Sequence, residues 1–393
     1  MSEWKKVSLS EMGIVSRGKS KHRPRNDTRL YGGRYPFIQT GDIGAAGLYV
    51  TDYSQTYNEE GLAQSKLWEK NTLCITIAAN IADTALLAFP ACFPDSIMGF
   101  VPHKDVANVK YVKYCFDILK KDCQQISQGT AQDNLSWKKL STIKFPCPPL
   151  EVQNRIATIL SRYDSLIENY QKQIKLLEEA AQRLYKEWFV DLRFPGHENT
   201  KIVDGVPEGW EKKSIGEIGE YLNGFAFKPS DWQDLGKPII KIKEMGNGVT
   251  NETPRNSGER VPAKYLIKAG DLLFSWSATL MVIIWSGEEG WLNQHLFKVT
   301  PVKGIDREFL LQSISNAIVE FQNLTTGSTM KHIQRNKLDQ VFVNVPNAEI
   351  MKRYSDISEK TRSNILSLQS QLRLLTEARD RLLPKLMSGE ITV

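Results

Sequence analysis

The segment IATILSRYDSLIENYQKQIKLLEEAAQRLYKEW, residues 156–188, decides how this chain of 393 residues is built. Its apolar positions advance in alternating steps of four and three, which is the seam of an α-helical coiled coil. The residues predicted on this seam are Ile156, Leu160, Tyr163, Ile167, Tyr170, Ile174, Leu177, Ala181, Leu184 and Trp188. A single amphipathic helix of about 35 residues cannot bury such a stripe alone, so the segment needs a partner.

The predicted partner is a second copy of the same segment. Ile167 reappears as Ile365 (365 − 167 = 198), and Gly129 of QGTAQDNLSWKKL reappears as Gly327 of TGSTMKHIQRNKL (327 − 129 = 198). The second seam is interrupted by Arg379 and comprises Ile365, Leu368, Leu372, Leu375, Leu382 and Leu386. We expect the two helices, each ~52 Å long, to pair antiparallel and to hold two modules about one DNA turn, ~34–36 Å, apart. The alternative is that each helix packs on its own globular part, but a stripe this narrow suits a helix better than a sheet.

The repeat continues upstream of the helices with a drifting offset, since YPFIQTGDIG (35–44) matches KPIIKIKEMG (237–246). A repeated unit of about 200 residues suits a tandem pair of domains and is too long for a solenoid. Short β-rich runs are predicted at 35–40, 72–77 and 85–89 in the first copy, and at 238–243, 271–276, 281–285 and 295–300 in the second. One helix follows them in each copy, at 109–125 and at 306–322. The predicted fold class is therefore α+β, with two tandem duplicated globular domains separated by two long helices that form an antiparallel coiled coil. The predicted parts are residues 1–149, a long helix at 150–190, a linker at 191–208, residues 209–347, and a second helix with a tail at 348–393.

Composition excludes several classes of protein. Five cysteines without a CxxC pair indicate free thiols in a reducing cytoplasm, and no histidine pair has metal-ligand spacing. The apolar runs at 73–91 and 272–285 are interrupted by polar residues and fall short of the ~20 residues that a membrane helix needs. A formal net charge of +6 permits an acidic partner without requiring one.

One motif matches a nucleotide-binding pattern, but the residues on either side of it do not suit that role. Residues 13–20, GIVSRGKS, fit the phosphate-loop pattern GxxxxGK[ST], but polar residues precede them and the basic run 21–25 that follows cannot begin an amphipathic helix. In the second copy, Gly219 and Gly224 keep the glycine spacing while Phe225-Ala226 replace Lys-Ser. The glycines are therefore predicted to serve the fold. No metal, S-adenosylmethionine or base-methylation motif is present, so catalysis by this chain is not expected.

Basic and amide side chains at matching places in both copies are typical of a DNA-contacting surface. The segment 16–34, predicted to be a loop, carries seven cations against one acid; the alternative for such a run is a solvated charged loop. Arginine pairs with phosphate or guanine and Asn or Gln with adenine, although amides also stabilise ordinary turns. The predicted DNA-binding residues are Arg17, Lys19, Lys21, Arg23, Arg25, Arg29, Arg34, Gln132, Asn134 and Lys138 in the first copy, and Lys228, Lys243, Asn293, Gln294, Lys331, His332 and Arg335 in the second.

The runs PCPPLEVQNRIATIL (146–160), LLEEAAQRLYKEWFVDLRFPG (176–196), VPEGW (206–210) and RLLPKLMSGEI (381–391) resemble the specificity subunit of type I restriction-modification systems. The resemblance covers essentially the whole chain. It implies two target-recognition domains that each read one half of a split DNA site, with the long helices setting the spacer. It further implies docking of two modification subunits that carry S-adenosylmethionine, with restriction subunits, which use ATP and Mg²⁺, outside them. This chain itself is expected to bind no cofactor. The second copy has Asn347-Ala348-Glu349 where the first has Pro149-Leu150-Glu151, so a less regular start is expected for the second helix.

Three functional hypotheses follow from the sequence. The leading one is a non-catalytic DNA-recognition subunit acting in the cytoplasm, with double-stranded DNA as a partner and no membrane. The alternative is a coiled-coil scaffold with twin adaptor domains and no DNA role, against which the basic segment 16–34 argues. A nuclease or ATPase built on the phosphate-loop match comes last.

Overall fold

A computed structural model describes residues 4–127, 135–324 and 335–393. The chain forms two compact units. One comprises residues 1–171 together with 372–393, and the other comprises residues 172–371. Each unit therefore contains one globular part and a portion of both long helices.

The first unit is a mixed α/β assembly. Its strands are β1 (Lys5–Val7), β2 (Gly13–Arg17), β3 (Tyr31–Phe37), β4 (Tyr49–Val50), β5 (Gln55–Tyr57), β6 (Leu73–Thr76), β7 (Thr84–Leu87), β8 (Ile97–Pro102) and β9 (Phe145–Cys147). Its helices are α1 (Leu9–Met12), α2 (Thr40–Ala45), α3 (Glu59–Ala63), α4 (Val109–Ser127), α5 (Trp137–Leu140) and the start of α6 (Leu150–Tyr185), with a 3-10 turn at Thr28–Leu30.

A five-stranded sheet in the order β2-β8-β6-β7-β4 forms the centre of this unit, and only the β4–β7 pair is parallel. All four residues of β6 are buried, as expected for a central strand covered on both faces. The helix α4 packs on the sheet through Tyr111, Val112 and Phe116. Small β1–β9 and β3–β5 ladders complete the unit.

The second unit repeats this plan. Its strands are β10 (Ile202–Val203), β11 (Val206–Pro207), β12 (Glu211–Ser214), β13 (Gly219–Asn223), β14 (Lys237–Ile240), β15 (Arg255–Asn256), β16 (Leu266–Ile267), β17 (Leu272–Ser275), β18 (Met281–Ile284), β19 (Gly290–Leu292), β20 (Leu296–Pro301) and β21 (Phe342–Val345). Its helices are α7 (Ile242–Asn247), α8 (Arg307–Leu324) and most of α9 (Ala348–Met387). Between them lie 3-10 turns at His197–Asn199, Pro229–Asp231, Ala263–Tyr265 and Arg335–Gln340, and a π-helical turn at Lys186–Val190 follows α6.

The duplication seen in the sequence is also present in the topology. The sheet order β13-β20-β17-β18 matches β2-β8-β6-β7, and the β12–β21 pair matches β1–β9. Even the helix caps correspond: the Asn108 side chain accepts from the N–H of Lys110 at the start of α4, and Asp306 (306 − 108 = 198) accepts from that of Glu308 at the start of α8.

The antiparallel pairing of the long helices is confirmed within each unit. In the first, Ile156 and Leu160 near the start of α6 share a core with Leu386 near the end of α9. In the second, Tyr185 at the end of α6 shares a core with Ile350 near the start of α9. Of the predicted seam, Ile156, Leu160, Ile167, Ile174 and Ile365 are buried, and Leu177, Leu184, Leu368, Leu372, Leu375 and Leu382 are half-buried.

The seam contains charged residues that the apolar pattern does not predict. The pattern places Tyr163 on the seam, but Tyr163 is half-buried and its neighbour Asp164 is buried. Arg379, predicted to interrupt the second seam, bonds Asp164 with an Nη1–Oδ1 distance of 3.0 Å. The start of α9 is also more regular than expected, because the Asn347 side chain accepts from the N–H of Ile350 at 3.0 Å and caps the helix.

Three further local expectations are corrected. The predicted strands at 35–40 and 238–243 end early, at Phe37 and Ile240, because α2 and α7 start there, where the Asp42 and Glu244 carboxylates accept from the N–H groups of Gln39 and Lys241. The segment 16–34 is only partly a loop, since Arg17 ends β2 and Arg34 lies within β3. The predicted linker 191–208 folds onto the second unit: it forms the β10–β11 hairpin, and the buried ring of Phe194 lies 4.6 Å from that of Trp210. The predicted domain boundaries themselves stay a prediction.

Candidate nucleic-acid interface

In the first copy, three exposed cations continue the line of strand β2. Arg17, Lys19 and Lys21 are exposed while Gly18 and Ser20 between them are buried, which is the alternation of an extended chain. Main-chain hydrogen bonds hold this extension, from Gly18 N–H to the Ile97 oxygen at 2.8 Å and from Lys19 N–H to the Phe93 oxygen at 3.0 Å. Side chains two residues apart on one face are separated by roughly 6.6 Å. The result is a regular row of positive charge on a supported backbone.

The glycines of the phosphate-loop match serve this strand. A Cβ on Gly18 would lie 2.2 Å from the Pro94 oxygen, and one on Gly13 would lie 2.3 Å from the Val101 oxygen. Gly224, in the place of Gly18 in the second copy, would meet the Asn293 oxygen at 2.2 Å. Close approach of two main chains therefore accounts for these glycines, and Gly13–Arg17 is a strand that does not lead into a phosphate-binding helix.

The other four predicted arginines of this segment have carboxylate partners. Arg23 and Arg25 both face Asp95, Arg29 bonds Asp27 at 2.7 Å, and Arg34 lies 3.1 Å from Glu59. The hydrogen bonds from Arg29 hold the pKa of the Asp27 carboxyl well below its usual range. Within the described part of the chain, by contrast, Arg17, Lys19 and Lys21 show no ion pair. The seven cations thus separate into three without a carboxylate partner and four with one, two of which share Asp95.

An exposed aromatic ring lies beside the row. Trp137, 41% exposed, lines a shallow cavity with Val15, Arg17 and Met98. Lys138 is exposed next to it, whereas the ammonium of Lys139 bonds the Ser127 oxygen at 2.9 Å. A tryptophan face beside an arginine suits stacking on a nucleobase. Gln132 and Asn134, predicted for the same surface, lie outside the described residues.

The same place in the second copy has different chemistry. Asn223 ends β13 where Arg17 ends β2 (223 − 17 = 206), and its Oδ1 accepts from the indole N–H of Trp276 at 3.3 Å. The Trp276 ring lies 5.9 Å from that of His295, and His295 Nδ1 lies 3.3 Å from the Ser277 hydroxyl. An amide, an indole and an imidazole here replace the row of cations.

Sequence reasoning missed Asn223 and Trp276 in this cluster. The signal for Asn223 was available, because the offset of 206 that relates Gly13 to Gly219 and Gly18 to Gly224 also relates Arg17 to Asn223. For Trp276 no sequence signal was available, since a tryptophan at the end of a buried strand reads as core. The pairing of both β13 and β17 with β20 brings it beside the end of β13.

The predicted residues of the second copy are dispersed. Asn293 is only 4% exposed and its side chain accepts from the His295 N–H, so it stabilises a turn, and its burial disfavours base reading. Gln294 is half-buried beside it, and Lys228 and Arg335 are exposed. Lys243 lies 3.5 Å from Glu252. Lys331 and His332 fall outside the described residues, and DNA contact by all of these residues stays a prediction.

A second pair of equivalent features lies away from this surface, where a cleft forms between the start of α4 or α8 and the start of the adjoining long helix. In the first copy it is lined by Lys104, Asn108, Lys110, Asn154 and Thr158, among others. In the second it is lined by Asp306, Glu308, Lys352, Asp356 and Glu359, among others. The first cleft has no carboxylate among its described lining residues, whereas the second has four, together with the cations Arg307, Lys352 and Arg362. The first cleft is therefore basic, and the second is of mixed charge.

None of the helices described is long and apolar enough to cross a membrane. No group of three or more His, Cys, Asp or Glu side chains in the described ranges could hold a metal ion.

Comparison with known proteins identifies the class. The family model described as the type I restriction modification DNA specificity domain matches residues 1–179 and 207–372. The chain belongs to this family, as its resemblance to the specificity subunits implies.

Particular relatives extend over the full length. The MjaIX specificity subunit of Methanocaldococcus jannaschii is 25% identical, over 100% of this chain and 94% of the relative. The HindI specificity subunit of Haemophilus influenzae is 24% identical over 100% of both chains. Among solved structures, the S subunit of the type I restriction-modification system from M. genitalium superposes with a TM-score of 0.61 at 16% identity, covering 98% of this chain and 96% of that one. This last likeness concerns the fold.

Proposed function

We propose that this chain is the non-catalytic specificity subunit of a type I restriction-modification complex and that each globular part reads one half of a bipartite DNA site. The single observation that carries the proposal is the pair of exposed surfaces at the ends of β2 and β13. They occupy the same place on one duplicated scaffold and differ in chemistry. A protein that reads two different half-sites needs such a pair, because equivalent placement fixes the geometry while different side chains select different bases.

The first surface combines two kinds of contact. Arg17, Lys19 and Lys21 lack a described carboxylate partner, so they can pair with phosphates without breaking an ion pair. Trp137 and Lys138 lie at the end of this row and supply a ring and a further cation. The second surface offers hydrogen-bonding groups, Asn223 and His295, beside the Trp276 ring. We therefore assign phosphate contacts to the row of three cations, and base contacts to Trp137 in the first copy and to the Asn223, His295 and Trp276 cluster in the second.

The long helices are proposed to set the spacer and to dock two modification subunits. Two clefts in corresponding positions, one at the start of each long helix, supply two places for two equal partners, and their different charge requires different contacts in each. S-adenosylmethionine is expected in those modification subunits, and ATP with Mg²⁺ in restriction subunits that join the complex, so catalysis lies in the partners. A cytoplasmic location follows from this assignment, as the host DNA is the substrate.

Modified-base sequencing of the host genome tests the proposal. A strain that carries this chain should show methylation at one split motif with a fixed spacer, and exchanging residues 1–149 for those of a relative should change only one half of the motif. A continuous motif, or one that does not follow the exchanged residues, contradicts the proposal.

The spacer role has its own test. Insertion of seven residues into both α6 and α9 preserves the heptad register and should change the spacer while both half-sites remain. An altered half-site with an unchanged spacer contradicts this role.

A gel shift of the assembled complex on a duplex that contains the split motif distinguishes DNA recognition from the scaffold alternative. Binding that weakens steeply with salt supports DNA recognition, since phosphate contacts release counterions. Failure to bind DNA at low salt favours the scaffold.

A further inference from the structure

One charged layer interrupts the seam of the first unit. The Asp164 carboxylate of α6 bonds Arg379 of α9 at 3.0 Å and accepts a hydrogen bond from the hydroxyl of Tyr114 on α4. The exposed fractions of the two charged side chains are 7% for Asp164 and 31% for Arg379. Burying a charge in this way is unfavourable unless its partner is present.

A second charged layer lies in the other unit. Arg362 of α9 forms two hydrogen bonds to Glu308 of α8, at 2.8 and 2.9 Å, and the exposed fractions of the two side chains are 8% and 4%. Gln312 also donates to Glu308 at 2.9 Å. Both arginines thus come from α9, Arg362 buried and Arg379 half-buried, and the carboxylate that Arg379 bonds comes from α6.

The duplication relates these positions to one another. Asp164 corresponds to Arg362 (362 − 164 = 198), so the same seam position carries opposite charges in the two copies. Arg379 corresponds to Ala181 (379 − 181 = 198), so its counterpart has no charge. The two helices share a fold and a register but differ at the buried positions that carry charge.

This difference decides which pairings are acceptable. If α6 paired with α6 of a second chain in the same register, Asp164 would meet Ala181 and lose its arginine. If α9 paired with α9 of a second chain, the buried Arg362 would meet the half-buried Arg379 and two cations would face each other. Only the α6–α9 pairing gives Asp164 an arginine and keeps Arg362 away from Arg379.

We infer that these charged layers are a pairing code, which makes each long helix accept the other long helix of its own chain and reject the same helix of a second copy. Buried polar residues at single seam positions are known to fix partner choice in coiled coils at some cost in stability. Because the two helices are duplicates, the apolar seam of each would otherwise fit the same helix of a second copy as well as its own partner. The charged layers disfavour that wrong pairing.

The test uses two full-length copies with different affinity tags, expressed together and purified through both tags in sequence. The variant Tyr114→Phe/Asp164→Leu/Arg379→Leu replaces the charged layer by apolar side chains, and Tyr114→Phe alone is its reference. The yield of mixed complexes should rise about tenfold over the reference, the modest end of the discrimination that facing like charges provide. The thermal midpoint should not fall, since an apolar replacement of a buried ion pair preserves stability.

A second variant and a control keep the result interpretable. Asp164→Arg/Arg379→Asp reverses the layer, so the pairing within one chain is kept while α9–α9 pairing gains an Arg362–Asp contact; mixed complexes should again increase. Glu349→Gln/Arg353→Gln removes an exposed pair from α9, 2.8 Å apart, and should leave their yield unchanged. The inference is overturned if both seam variants leave the yield at the reference level, or if the wild-type chain already exchanges freely.

Discussion

The surface of the first copy is a row of cations at and beyond the end of strand β2, whereas that of the second is a compact cluster of an amide, an indole and an imidazole. The central structure beneath the two surfaces is shared: the sheet order β2-β8-β6-β7 recurs as β13-β20-β17-β18, and a side-chain cap starts both α4 and α8. The comparison shows that the chemistry of a strand end can change while its position remains. Recognition is therefore free to change in one copy without disturbing the other.

The largest expected difference between the copies concerns their buried ion pairs. Arg362→Ala should destabilise the second unit by about 3–5 kcal/mol, because it leaves the buried Glu308 without its charged partner. Arg379→Ala should cost less, about 1–3 kcal/mol, as 31% of the Arg379 side chain is exposed. Urea unfolding of the full chain, followed by tryptophan fluorescence, measures both. The exposed Arg353→Ala should stay within about 0.5 kcal/mol of wild type, and equal losses for Arg362 and Arg379 would contradict the difference in burial.

The next effect tests the assignment of base contacts to the second surface. Trp276→Ala should weaken binding of the assembled complex to its split duplex by about 1–3 kcal/mol, since a stacked base loses its partner ring. Fluorescence anisotropy with duplexes altered in one half-site checks it, and only the half read by the second copy should lose discrimination. Trp232→Ala, which removes an exposed ring covered by Lys241 4.4 Å away, is the control. If both substitutions weaken binding equally, Trp276 has no special role.

A smaller effect compares the two helix caps. Asn108→Ala should cost about 1 kcal/mol and Asp306→Ala up to about 2 kcal/mol, because a carboxylate also interacts favourably with the helix dipole. Asp306 further accepts from the Ser355 hydroxyl at 2.9 Å, so its loss disturbs the start of α9 as well. Thermal unfolding of both variants measures the difference. A larger loss for Asn108 would contradict this account.

The smallest single effect concerns the row of cations. Arg17→Ala, Lys19→Ala and Lys21→Ala should each lower the slope of log affinity against log salt by about 0.9, as one phosphate contact is lost. Arg34→Ala should change the slope less, because Arg34 already lies 3.1 Å from Glu59. Titrations of the assembled complex at several salt concentrations provide the slopes. Equal changes for Lys19 and Arg34 would show that the ion pairs do not restrict DNA contact.

The sequence predicted the fold well because the duplication repeats its own pattern. The alternating steps from Ile156 to Trp188 predicted a long helix with a helical partner, and the offset of 198 identified that partner. Asp164 and Arg379 escaped prediction because an apolar pattern treats a charge as an interruption. Their pairing depends on two segments more than 200 residues apart in sequence, which no local spacing reveals.

The candidate site was predicted less well. The basic segment 16–34 was visible as composition, but only the structure separates Arg17, Lys19 and Lys21 from the four arginines with carboxylate partners. Asn293 stood out as an amide between aromatic residues, and its burial in a turn is a property of the β19–β20 connection. A sequence gives the number of charges in a segment, whereas their availability depends on acids such as Asp95 that are supplied from elsewhere.

The first unit takes residues from both ends of the chain, since Leu386 and Met387 lie in the same core as Ile156 and Leu160. During synthesis on the ribosome, Leu386 and Met387 emerge only after the second unit has been made. A nascent chain therefore leaves the apolar seam of the first long helix uncovered until residues 372–393 have emerged. A stop codon shortly before position 372 would make that transient state permanent, and a chaperone or protease would meet it instead of a finished protein.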